Sequence, residues 1–198
     1  MKPVKLSTSA TATRTGSAEI EKLMQELRTS KTPEAGLALA RKAVELRPKN
    51  PDLRLILAVT LHNMGKASEA ERQYVECLMM DRDNVRALIN LGSLQISGGQ
   101  AEAGLKALDA ALHLDPGNAE ARWHKGRGLG SMDRADEALK IFNELAVELP
   151  ENVEIMKFRA LCLMDIGHKT KAAEILLEAA RLAPEDKAIQ NALKKVAS

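Results

Sequence analysis

Apolar residues fall at helical spacing in stretches long enough for about three to four turns, and the stretches come in pairs. The pairs recur. Asn50, Asn84, Asn118 and Asn152 stand 34 residues apart, and Asp186 continues the series. Pro48, Pro116, Pro150 and Pro184 keep the same period, with Arg82 in the one gap. Gly65, Gly99 and Gly167 keep it too, with Asp133 in the remaining slot. Three marker columns on one period predict a repeated helix–turn–helix unit. The glycine column breaks each pair in the middle, where a positive φ is needed and Asp is among the few tolerated substitutes. The proline column ends the second helix, because Pro cannot continue it. The Asn column serves as N-cap of the next unit's first helix. Thr32, Pro33 and Glu34 read as N-cap, first helical residue and early acid of another helix.

The predicted units are 17–50, 51–84, 85–118, 119–152 and 153–186. Residues 187–198 form a capping helix, with Ile189, Leu193 and Val196 on one side and Lys187, Gln190, Lys194 and Lys195 on the other. A helix pair of this kind cannot bury its apolar face alone, so neighbouring units must stack into one array over 17–198. Residues 1–16 carry Lys2, Lys5 and Arg14, no acid and no apolar core of a signal peptide. They read as a disordered lead-in, with an organelle transit peptide as the less favoured alternative.

Composition strengthens the helical reading. Of the residues, 30 are Ala and 28 Leu, against 17 Val and Ile together and only four aromatics, Tyr74, Trp123, Phe142 and Phe158. An all-α fold follows. The net charge of +2 is misleading: without the three basic residues of the lead-in, 26 basic residues face 27 acidic ones. A near-neutral body poor in aromatics argues against nucleic acid as a partner. No apolar run is long enough to enter a membrane. Cys77 and Cys162 read as reduced, buried side chains of a cytoplasmic protein.

Small and bulky residues alternate in register. The first-helix small position reads Met24, Ala58, Gly92, Gly126 and Ala160, and the second-helix one Gly36, Ala70, Gly104, Ala138 and Ala172. The bulky second-helix position reads Ala40, Tyr74, Leu108, Phe142 and Leu176. In these columns the chain resembles the tetratricopeptide repeat family, with five repeats and a C-terminal cap. The resemblance implies a right-handed α-solenoid of antiparallel helix pairs, a superhelix whose first helices line a concave groove. Unit one departs from the motif, with Lys31 in the turn slot and the sizes of Met24 and Ala40 inverted. Lys125 and Arg159 stand where Leu is commonest, and their long stems can cover apolar surface.

No catalytic constellation emerges. Gly126–Gly130 lacks the strand and the Lys-Ser/Thr of a phosphate loop. Gly98 and Gly99 belong to the turn column, and Asp81–Asn84 lacks the Gly and Glu of a calcium loop. His62, His113, His124 and His168 are too scattered for a metal site. The expectation is no enzyme, no metal and no cofactor.

The resemblance places groove residues at the second, fifth, sixth, ninth, twelfth and thirteenth positions of each unit, one face of a helix. The candidates for partner contact are Leu55, Val59, Ile89, Asn90, Ser93, Trp123, His124, Arg127, Lys157, Phe158 and Leu161. One end is apolar, where solenoid packing is the competing reading for Leu55, Val59 and Ile89; the other combines aromatic and basic groups, flanked by Glu120 and Glu154. A chaperone-tail carboxylate clamp does not fit, since Leu55, Val59, Glu120 and His124 replace the required cations and amide. The expected function is a non-catalytic scaffold or adaptor that binds a peptide or helix of a partner protein. The alternatives are a self-assembling homo-oligomer and a regulatory module for an enzyme encoded elsewhere.

Overall fold

The computed structural model describes residues 9–197, with side chains from residue 18 onward. Eleven α-helices and no strand occur among the described residues. They are α1 (Ser9–Arg28), α2 (Pro33–Leu46), α3 (Pro51–Asn63), α4 (Ala67–Met80), α5 (Val85–Ser97), α6 (Ala101–Leu114), α7 (Ala119–Gly130), α8 (Ala135–Glu148), α9 (Val153–Asp165), α10 (Lys169–Leu182) and α11 (Lys187–Ala197). The second helix of each unit ends two residues before the proline column or its Arg82 substitute.

The start of the chain differs from the expected lead-in. Residues 1–8 lie outside the described residues, and the remainder of that segment, from Ser9, is helical and opens α1. The chain also groups into two compact units, Met1–Ala87 and Leu88–Ser198, where the repeat alone predicts one array. The boundary between them falls inside α5.

The marker columns have the roles their chemistry requires. The Oδ1 atoms of Asn50, Asn84, Asn118 and Asn152 accept from the backbone N–H three residues on, at 3.1, 3.1, 3.0 and 3.1 Å. Asp186 does the same for α11, accepting from Ala188 at 2.7 Å and Ile189 at 3.3 Å. Thr32 caps α2 through Ala35 at 3.2 Å. Gly65, Gly99 and Gly167 have φ of 71°, 80° and 82°, and Asp133 has 57°. A Cβ on Gly167 would meet nothing within 4 Å, so only the backbone angle resists substitution. Gly167→Ala is therefore expected to cost about 1–2 kcal/mol, and Asp133→Gly to stabilise by less than about 1 kcal/mol. Thermal denaturation of both variants checks these opposite signs.

In the N-terminal unit, Leu23, Ala43 and Leu53 form a core against which Met24 packs half-buried. Without a turn glycine, α1 ends on hydroxyls: Thr29 donates to Gln25 and Glu26 carbonyls at 3.2 Å, and Ser30 to Leu27 at 2.9 Å. In the C-terminal unit the alanines of the small-residue columns are fully covered, and Phe142 is 1% exposed. Gly126 makes room for Phe142, since a Cβ there would lie 2.7 Å from the ring. Ile189 of α11 is fully buried, while Lys187, Gln190, Lys194 and Lys195 face solvent.

Candidate functional site

Packing of α7, α8 and α9 decides which side chains remain available. Phe142 of α8 stacks on Phe158 of α9 at 5.4 Å and 16°. Phe158 in turn meets Trp123 of α7 edge-on at 5.8 Å and 87°. His124 lies edge-on to Trp123 at 4.8 Å. The Arg127 guanidinium, one helical turn beyond Trp123, sits 4.8 Å from the Trp123 ring centroid and 5.8 Å from that of Phe158. No carboxylate among the described residues pairs with it. Two aromatic faces thus hold a cation in place and leave its donors for a ligand.

Beside this cluster lies a concavity of about 330 Å³, floored by Gly126, Phe142 and Phe158 and edged by Arg127, Leu161 and Asp165. Leu161 is 43% exposed. Trp123, His124, Arg127 and Phe158 are each half-buried. A second concavity, of about 310 Å³, borders Trp123 at the N-terminal level of α7 and α9.

The other sequence candidates are placed differently. Leu55 and Ile89 are 4% and 3% exposed, so these apolar side chains belong to helix packing rather than to an open surface. Val59, Asn90 and Ser93 are half-buried, and Asn90 already has a partner. Lys157 is turned to structural use: its Nζ lies 2.5 Å from Glu154 and 2.9 Å from Asp186. It thereby fastens α9 to the residue that caps α11. Hydrogen bonding to Glu154 and Asp186 raises the Lys157 pKa, against the opposing effect of burial.

The Lys157 hydrogen bond, with help from the Ala188 and Ile189 amides, holds the Asp186 carboxyl below its usual range. A depressed carboxylate stabilises the fold above its unfolded pKa, and the contribution disappears as pH falls through the folded value. Wild type is therefore expected to exceed Asp186→Asn in stability at neutral pH, and the gap to close as pH falls below about 4. Denaturant titrations of both proteins over that range check it.

Three structural features escaped the sequence. Ser131 and Asp165, the thirteenth residues of their units, join the rim, and the face register already contained them. Arg122 grips Glu148 with two nitrogens at 2.8 and 2.7 Å and the Gly117 carbonyl at 3.2 Å. Arg54, the same position of an earlier unit, holds the Pro48 carbonyl at 3.1 Å and pairs with Glu76. Their shared place as fourth residue was the available signal. Lys125 and Arg159 are satisfied by Asp109 at 2.6 Å and Asn143 at 3.0 Å, as surface-covering stems with polar ends.

Three family models, each described as tetratricopeptide repeat, match the chain, at residues 39–72, at 60–119 and 89–129, and at 129–196. Solved structures of similar fold include YrrB, titled a TPR protein with an unusual peptide-binding site. It is 22% identical over 89% of this chain and 90% of that one, with a TM-score of 0.75. MamA from Desulfovibrio magneticus is 16% identical over 87% and 97%, with a TM-score of 0.77. A thermophilic TPR protein of Thermus thermophilus is 17% identical over 92% and 98%, with a TM-score of 0.66. At these identities the likeness is one of fold. The repeat matches run together from residue 39 to residue 196, across the helix pairs described above, and the chain belongs to the tetratricopeptide repeat family.

Proposed function

We propose that the chain is a non-catalytic, cytoplasmic interaction scaffold that holds a segment of a partner protein against α7 and α9. The observation that carries this reading is the half-buried Trp123–Arg127–Phe158 cluster beside an open concavity. Tryptophan and arginine concentrate where binding energy is concentrated, because they bring large area and directed donors to one point. Burial pushes the Cys77 and Cys162 thiols up to about 11, which keeps them protonated and poor nucleophiles at neutral pH. No helix among the described residues is long and apolar enough to cross a membrane.

The test is affinity purification of the full chain beside a Trp123→Ala, Arg127→Glu variant. The variant is expected to lose a specific partner, with affinity falling by a factor of about 30 or more. Retention of every specific partner by a folded variant rejects the site.

A second reading, self-association, has one observation in its favour. Four second helices end on apolar residues that remain in water: Leu46, Met80, Leu114 and Leu182, at 39–47% exposure. Light scattering over a concentration series decides it: a mass that rises with concentration supports association, and a strict monomer removes it.

A further inference from the structure

The two concavities bordering the aromatic cluster differ in charge, and this difference gives the site a direction. The first holds the unpaired Arg127 on its rim. The second is lined by the apolar Leu145, Leu149 and Ile155 and by the acids Glu120 and Glu154. Glu154 is engaged by Lys157, whereas Glu120 has no partner among the described residues. Glu120 and Arg127 are seven residues apart on α7, which at about 1.5 Å per residue separates them by about 10 Å along the helix axis. The Trp123 side chain stands between them. Asp165 lines the same concavity as Arg127 and Phe158 and forms no ion pair with Arg127.

From this order we infer that the site selects a bipolar peptide. It takes one basic residue beside Glu120, an apolar or aromatic residue against Trp123 and Phe158, and one acidic residue on Arg127. The inference rests on the interaction site proposed above and adds the chemistry of its occupant. Complementary charges at fixed spacing set register and direction, because the reversed segment would place like charges together. Asp165 limits the acidic part to a single residue: a run of acids would extend past Arg127 and meet its carboxylate. The floor is aromatic and aliphatic, so the middle residue gains by leaving water. About 10 Å corresponds to about three residues of extended chain, or about seven of helix.

A random peptide library displayed on phage, selected on the full-length protein, tests this. Selections run in parallel on wild type, Trp123→Ala, Arg127→Glu and Glu120→Lys. The wild-type pool is expected to be lost with Trp123→Ala and to carry one basic and one acidic residue at fixed spacing around an apolar one. Arg127→Glu should exchange the enriched acid for a base, and Glu120→Lys the enriched base for an acid. A synthetic wild-type peptide should weaken by about tenfold with either reversal and recover when its own charge is exchanged. A pool that depends on Trp123 but shows no charge order, or favours acidic runs, overturns the bipolar inference and leaves the site standing. An empty pool, or one indifferent to Trp123, overturns both.

Discussion

Replacing Phe142 with alanine is expected to destabilise the C-terminal unit by about 3–5 kcal/mol. The ring is 1% exposed. It stacks on Phe158 at 5.4 Å, and its edge fills the space that Gly126 leaves open. The surroundings are helices already in contact, including Leu145, Ala138 and Ile155 of the same core, so they can close the cavity only in part. The loss should reach the proposed binding face as well. Phe158 is held between Phe142 and Trp123, and Arg127 rests on Trp123 and Phe158. Without the lower ring, the upper members lose the surface that fixes them. Urea denaturation measures the stability change. A loss below about 1 kcal/mol would show that Phe142 is not the keystone its contacts suggest.

The second large effect is expected at Gly104. Its ideal Cβ would stand 2.6 Å from the Gly92 carbonyl oxygen and 2.7 Å from Ile96 Cγ1. A flexible side chain could turn away, but a backbone carbonyl cannot. Gly104→Ala must push α5 and α6 apart and is expected to reach or exceed the top of the overpacking range, about 3 kcal/mol. Gly130→Ala supplies the contrast. Gly130 ends α7 without positive φ, and a Cβ there meets nothing within 4 Å. Alanine should stabilise that position by about 0.4–1 kcal/mol, by restricting the unfolded chain. If the two variants behave alike, close helix approach does not explain the small-residue columns.

These glycines show why so much of the fold was legible in the sequence. Turn, cap and crossing positions each demand a particular residue chemistry, and the demand repeats with the 34-residue unit. Asp133 could be assigned to a glycine column because few other side chains accept its φ of 57°. The first helix was less legible. The motif is weak there, and Thr29 and Ser30 end it with local hydrogen bonds that carry no periodic mark.

The site was legible as a face but not as a surface. Register assigned Trp123, Arg127 and Phe158 to one side of their helices, and the structure joins them. The same register also nominated Leu55 and Ile89, which are buried, and Lys157, which is taken up by Glu154 and Asp186. Helical spacing states which way a side chain points. It does not state whether a neighbouring carboxylate or helix reaches it first. Phe142 shows the converse: its packing column was right, yet the same ring also floors the open concavity.

The protein contains a single tryptophan, Trp123, so its own fluorescence reports on the site without a label. The most direct test of the scaffold reading titrates the full-length protein with a partner segment recovered by affinity purification and follows that emission. The expected result is a saturable spectral shift with the affinity of the purified interaction, reduced by about tenfold in Arg127→Glu. Binding that saturates by calorimetry while the Trp123 spectrum stays unchanged would place the partner elsewhere on the protein and contradict the account.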